Sequence, residues 1–295
     1  MSPHGAGPLV LCGPDGWDGF RGSRLIDPER SGSSHGCPMV ARLSLRVSRT
    51  GTGFRTRAGG SRQGPGGGAG GGGGGGGARS SPADYIGGQI QRVSPDGSEV
   101  TTLYRECDGE RLKGPNDLVF DEEGNFYFTD HGKTRPRDRD RTGVFYASPD
   151  GKMIREIIFP MESPNGIGLS PDGKVLYIAE TPTGRLYAYD LVGPGQVGMR
   201  RVVGTVPGAP PFNFAMCDSL VVDAEGNVIV ATLVNGGLTS FTPAGQATHY
   251  ACPDILTTNA CFGGPGLRTL YATLSTTGKL IAFENWPTAG LKLNC

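Results

Sequence analysis

The chain has 295 residues with 28 basic and 28 acidic side chains, a formal net charge of zero, so as a whole it has no electrostatic basis for binding nucleic acid or an anionic membrane. Glycine (51) and proline (23) make up about a quarter of it, yet no collagen Gly-X-Y period is visible, so the excess is local. No apolar run approaches the roughly 18 residues of a membrane helix, and seven scattered cysteines without a C-x-x-C signal neither a disulfide framework nor a zinc knuckle.

In chain order, the first apolar stretch, Leu9-Val10-Leu11-Cys12, is too short for the core of a signal peptide. A soluble, cytoplasmic protein with reduced thiols is expected. Residues 1–83 hold 24 of the glycines, ten arginines, no lysine and four acids (Asp15, Asp18, Asp27 and Glu29), which gives +6 and leaves −6 for the remainder. The tract Gly70–Gly77 gains no buried area to offset the entropy of ordering it. Residues 1–83 are therefore expected to be a disordered low-complexity arm and residues 84–295 the folded unit. Met39-Val40-Ala41-Arg42-Leu43-Ser44-Leu45-Arg46-Val47 alternates weakly, as a lone strand would. A basic tail, an organelle-targeting segment and a reading-frame extension all fit the arm's composition.

From residue 84 a two-part unit recurs. Its first half runs Pro115-Asn116-Asp117-Leu118-Val119-Phe120-Asp121-Glu122-Glu123-Gly124-Asn125-Phe126-Tyr127-Phe128-Thr129-Asp130 and returns from Pro164-Asn165, from Cys217-Asp218 and, more loosely, from Asn259-Ala260. The second half opens on glycine at Gly88, Gly143, Gly184, Gly237 and Gly278. Spacings of 49, 53 and 41 residues between Asn116, Asn165, Asp218 and Asn259 bracket the roughly 40–50 residues of a propeller blade. Pro-Asp-Gly turns at 95–97, 149–151 and 171–173 punctuate the hairpins. No segment carries a capped 3.6-residue apolar period, so no long helix is expected. A β-sandwich would not repeat at a fixed four-strand period, and a propeller is the better reading.

In a ring generated by rotating one module, equivalent positions face one axis. Asn116, Asn165, Asp218 and Asn259 then bring short oxygen-bearing side chains together, which suits a hard divalent cation. Asx turns alone would explain any one of them.

The segments starting at Gly114, Ser163, Asp218 and Thr258 resemble, in order, the signatures of the gluconolactonase, senescence-marker-protein (regucalcin) and luciferin-regenerating family. The resemblance covers about residues 84–295. It implies an all-β, six-bladed β-propeller holding one divalent cation, Ca²⁺ first, with Zn²⁺, Mn²⁺, Mg²⁺ or Fe²⁺ as alternatives. It also implies hydrolysis of lactones and related esters. Asn165 and Asp218 match the metal ligands, with Asp218 also the proposed general base, and Asn116 matches a residue that contacts substrate or a water at the metal. The family's first-blade glutamate in a Glu-Gly-Pro context has no counterpart, Glu29 lacking those surroundings, and Gly114 stands where some members carry an arginine for a sugar acid. At about 45 residues per blade, residues 84–295 supply fewer than five blades, so the first blade is expected to be incomplete and any activity weakened.

The chemistry expected is metal-assisted opening of a small-molecule lactone. A cation-bound carboxylate is a weaker base, so the identity of the group that activates water stays open. His131, at a strand end, is a candidate substrate contact together with Asn259. The run 133–141, with four arginines and two aspartates, reads as a solvated loop that could steer anions. A non-catalytic, calcium-holding propeller acting as a binding module and an inactive truncated product are the alternatives.

Overall fold

The computed structural model of the chain describes residues 9–12, 87–94, 97–209 and 211–294, and its regular elements are strands apart from one 3₁₀ turn at Pro265–Leu267. The first sheet joins β1 (Leu9–Cys12), β2 (Gln89–Val93) and β3 (Val100–Tyr104) in that order, and a short hairpin follows, β4 (Glu106–Cys107) with β5 (Glu110–Arg111). Three four-stranded sheets come next, each an antiparallel meander. They are β6 (Pro115–Phe120), β7 (Phe126–Asp130), β8 (Thr142–Ala147) and β9 (Ile154–Met161); β10 (Pro164–Leu169), β11 (Val175–Glu180), β12 (Arg185–Gly193) and β13 (Gln196–Thr205); and β14 (Met216–Val222), β15 (Val228–Leu233), β16 (Gly237–Phe241) and β17 (Ala247–Ala251). A last sheet holds β18 (Thr257–Gly263), β19 (Thr269–Leu274) and β20 (Lys279–Phe283).

The arrangement is all-β and propeller-like. Against an expectation of six blades, the described residues form three four-stranded and two three-stranded sheets. The two halves of each repeat supply the three inner strands of a sheet. The outer strands β9, β13 and β17 are largely exposed, and their polar edges blur the alternation that would mark them in sequence. One strand is additional to the sequence reading: β1 pairs antiparallel with β2, Leu9 opposite Arg92 and Cys12 opposite Gln89. Four residues are too few for periodicity to flag. The rest of the arm, including Met39–Val47 and the glycine tract, lies outside the described residues. The four described cysteines, Cys107, Cys217, Cys252 and Cys261, are free thiols. Among the described residues no helix is long and apolar enough to cross a membrane.

The core lies between consecutive sheets, because alternate side chains of one strand feed opposite faces. Phe126 and Phe128 of β7 pack towards Ile90 and Tyr104 of the first sheet, while Tyr127 between them joins Ile167, Ile178 and Tyr187 of the third. The pattern repeats with Ala179 and Leu186 against Leu220 and Val230, then with Ile229 and Ala231 against Leu270 and Trp286. Burial on both faces makes these strands continuous apolar runs.

Hairpin chemistry pins the register. Asp121 Oδ1 accepts from the Glu123 and Asn125 backbone N–H groups, and Asp223 Oδ1 does the same for Glu225 and Asn227, with Gly124 and Gly226 at φ +82 and +83. The Tyr146 hydroxyl donates to Asp121 Oδ2 at 2.7 Å and accepts from Asn125 Nδ2 at 3.0 Å, tying the β6–β7 turn to β8. Tyr146→Phe leaves two partly buried partners short of a bond and is expected to cost about 1–2 kcal/mol in urea unfolding. A change below about 0.3 kcal/mol would show that water replaces the hydroxyl.

Candidate active site at the ends of the innermost strands

β6 packs on β10, β10 on β14 and β14 on β18, so these four are the innermost strands. Each carries the same irregularity near its start, where two residues oppose one on the neighbouring strand. Asn116 and Asp117 face Thr129, Asn165 and Gly166 face Ala179, and Asp218 and Ser219 face Ala231. A bulge of this kind turns a side chain out of the ladder. Here it does so at the same point in three consecutive sheets.

The sequence signal is thus explained locally. Asn116, Asn165 and Asp218 are all buried, at 8, 1 and 7 % exposure. Ser163, held at φ +52, delivers the chain into the β10 bulge in a conformation unfavourable for a residue with a Cβ. Asn165 Nδ2 donates to Thr181 Oγ1 at 3.1 Å, and Thr181 is fixed in turn because its N–H donates to the Ser163 carbonyl and its own carbonyl accepts from the Cys217 N–H. With its amide nitrogen engaged, Asn165 has its Oδ1 buried without a hydrogen-bond partner. Asn116 Nδ2 is likewise buried and unpartnered, and turning that amide by 180° would present its oxygen instead. Two orphaned amide atoms in one place are unusual, since an unsatisfied buried polar atom costs about 1–3 kcal/mol.

Asn259 departs from the expected equivalence. In β18, Thr257 pairs with Leu274 and Asn259 with Thr273, which leaves Thr258 as the extra residue of the bulge. Register therefore aligns Thr258 with Asn116, Asn165 and Asp218, and aligns Asn259 with Asp117. The hydrogen bonds agree: Asn259 Oδ1 accepts from the next backbone N–H, Ala260, at 2.8 Å, as Asp117 Oδ1 does from Leu118 at 2.9 Å. A one-residue offset inside a bulge is invisible to spacing, because Thr and Asn are both plausible turn residues.

His131 follows β7 at the same end of the sheet as Asn116. Its N–H donates to the Gly114 carbonyl at 2.9 Å, and its ring Nδ1 lies 3.1 Å from the Gly132 carbonyl oxygen. Asp130, next to it, is buried and accepts from the backbone N–H groups of Lys113, Gly114 and Gly132. Burial pushes its carboxyl up and the three donors oppose that shift; the residue anchors the loop that leads into Asn116. Glu180 has the same place in the next sheet, taking the Glu162 N–H and the Thr183 hydroxyl. The arginine run is an ordered hairpin in which Arg135 meets Asp138 at 2.6 Å and Asp140 at 2.8 Å. Two of its charges are thereby offset locally.

Spacing alone did not single out Asp117, Gly166 or Thr181, all of which act on the candidate residues. Asp117 stood beside Asn116 in the motif, but only the fold reveals that its carboxylate reaches other strands. Among the described residues no group of three or more His, Cys, Asp and Glu is placed to hold a metal ion. Asn116, Asn165 and Asp218 occupy the same bulge position on three strands packed side by side, and their amide and carboxylate oxygens, with an orphaned Asn165 Oδ1, are donors of the kind that suits a hard cation of the Ca²⁺ type.

Residues 85–276 match the family model described as the SMP-30/Gluconolactonase/LRE-like region. The chain is 30% identical over 216 residues to diisopropyl-fluorophosphatase of Loligo vulgaris, covering 69% of this chain and 67% of the relative. It is 33% identical over 163 residues to lactonase drp35 of Staphylococcus haemolyticus, covering 54% of this chain and 47% of the relative. Among solved structures, a gluconolactonase from Xanthomonas campestris superposes with a TM-score of 0.53 at 25% identity, over 63% of this chain and 62% of that one. The chain thus spans from about half to two thirds of the length of these relatives.

Proposed function

The chain belongs to the SMP-30/gluconolactonase/LRE-like family, and from that premise we propose that it is a hydrolase that opens lactone rings at a site formed by Asn116, Asn165 and Asp218 around one divalent cation, Ca²⁺ first. The observation that carries the reading is the buried, unpartnered Oδ1 of Asn165, on a bulge that recurs at Asp218 in the adjoining strand. The names of the lactonase and gluconolactonase relatives support the substrate class. A six-bladed ring stays the proposal for the whole fold, supported by membership of the family.

A bound cation would polarise the lactone carbonyl and stabilise the charge that grows on its oxygen. Asp218 takes a proton from the attacking water as the new C–O bond forms. The ring C–O bond then breaks, the ring oxygen recovers that proton, and a hydroxy acid leaves. Asn165, held through Thr181, offers its unpartnered oxygen to the cation, and Asn116, His131 and Asn259 are the proposed substrate contacts. Only one of the three ligand side chains is a carboxylate, so Ca²⁺ affinity is expected towards the weak end, about 10⁻⁴–10⁻³ M.

The name of the Loligo vulgaris relative, diisopropyl-fluorophosphatase, supports a second reading, hydrolysis of a fluorophosphate. One assay separates the two: a panel of γ- and δ-lactones and a dialkyl phosphofluoridate, before and after chelation, with Ca²⁺, Mn²⁺, Mg²⁺ or Zn²⁺ restored in turn. Lactone turnover should fall on the order of tenfold or more on chelation and return with Ca²⁺ at millimolar levels. Turnover indifferent to chelation would refute the cation-assisted reaction. Cation binding without turnover of any substrate would favour a binding module instead.

A further inference from the structure

Asp117 lies inside the β6 bulge, 8 % exposed, one residue beyond Asn116. Its Oδ1 accepts from the Leu118 N–H at 2.9 Å. Its Oδ2 accepts from the Ile167 N–H of β10 at 3.4 Å and from the Ser219 hydroxyl of β14 at 3.1 Å. Ile167 is two residues after Asn165, and Ser219 directly follows Asp218. The Asp117 N–H donates to Thr129 Oγ1, whose hydroxyl donates to the Asn165 carbonyl at 2.6 Å. One buried carboxylate therefore touches all three strands that carry the candidate site.

The repeat does not require this carboxylate. At the same register position the other innermost strands carry Gly166, Ser219 and Asn259, none of them charged. Asn259 bonds the next N–H of its own strand just as Asp117 does, so that local role needs only an amide. The second oxygen of Asp117 is what reaches across to β10 and β14.

We propose that Asp117 is a positioning residue that sets Asn165 and Asp218 relative to one another by joining the three adjacent strands that carry the site. The proposal rests on the reading of Asn116, Asn165 and Asp218 as the cation site, but its first readout does not depend on that reading. Asp117→Asn keeps one acceptor for Leu118 and replaces the oxygen shared by Ile167 and Ser219 with a donor. Ser219→Ala is a milder variant that removes a single bond. Asp223→Asn is the control, because Asp223 is likewise a buried, hydrogen-bonded carboxylate, just past the far end of β14.

In the metal-free full chain, hydrogen–deuterium exchange should speed up in segments 164–170 and 216–222 for Asp117→Asn, less so for Ser219→Ala, and not selectively there for Asp223→Asn. Calorimetric titration with Ca²⁺ should then show a dissociation constant about 10–100-fold higher for Asp117→Asn, while Asp223→Asn lowers Tm with no such change. Unchanged exchange in both segments, or a Ca²⁺ shift no larger than that of Asp223→Asn, overturns the proposal. If Asp117→Asn fails to fold, Ser219→Ala decides by the same two measurements. If the unmodified chain binds none of Ca²⁺, Mn²⁺, Mg²⁺ and Zn²⁺, the cation reading falls, and exchange alone decides whether Asp117 positions the strands.

Discussion

Asp218→Asn is expected to lower kcat/KM for lactones by about a thousandfold, within the range for loss of a positioned general base. The substitution keeps the size of the side chain and one oxygen. What goes is the single carboxylate of the Asn116, Asn165 and Asp218 set and its ability to take a proton. Two consequences are separable. Loss of ligand charge should raise the Ca²⁺ dissociation constant by on the order of tenfold or more, whereas loss of the base should persist when Ca²⁺ is saturating. Calorimetric titration together with turnover at several Ca²⁺ concentrations resolves them. Recovery of full turnover at high Ca²⁺ would restrict Asp218 to holding the cation, and identical Ca²⁺ affinity in both proteins would exclude it as a ligand. Asn259→Ala, displaced by one residue in the bulge, is expected to change affinity by less than about threefold, since a neutral contact contributes little to divalent binding.

Gly166→Ala should damage both stability and activity. A Cβ at 166 would lie 2.5 Å from the Leu220 nitrogen, 2.7 Å from the Ser219 carbonyl carbon and 2.9 Å from the Asp218 carbonyl oxygen. All three are backbone atoms of β14, so no side chain can swing aside. The strand carrying Asp218 has to move away from the strand carrying Asn165. The expected destabilisation is about 2–3 kcal/mol, near the top of the overpacking range, and a displacement approaching 1 Å costs activity on the order of a hundredfold. Gly193→Ala is the comparison, because the nearest atoms there lie at 3.5 Å or beyond; it should change stability by no more than about 0.5 kcal/mol. Urea unfolding and lactone turnover on both variants test the pair. Normal turnover in a folded Gly166→Ala protein would mean that the Asn165 and Asp218 strands need not approach so closely.

Much of the fold is legible in the sequence, for a definite reason. Inner strands buried on two faces must be apolar at nearly every position, as in Val175–Glu180 and Val228–Leu233, and Asx and Gly turns must stand at fixed offsets between them, as Asp121 with Gly124 and Asp223 with Gly226 do. Those demands are local, so they survive in the order of residues. The places of Asn116, Asn165 and Asp218 were legible for the same reason, since each leads its strand. The outer strands left little trace, because half-solvated edges accept almost any residue, and β1 left none, four residues being too few to show a period.

What only the tertiary structure decided are relations between strands far apart in the chain. The bulge exchanged the expected place of Asn259 for Thr258, because register is fixed by pairing with β19 and not by spacing. The close approach of Gly166 to Asp218 and the reach of Asp117 to Ile167 and Ser219 join residues about 50 and 100 positions apart. Hydrogen bonds and steric contacts act over a few ångströms of space. The sequence by itself determined which side chains lead the innermost strands, and packing of one sheet on the next decided which of them meet.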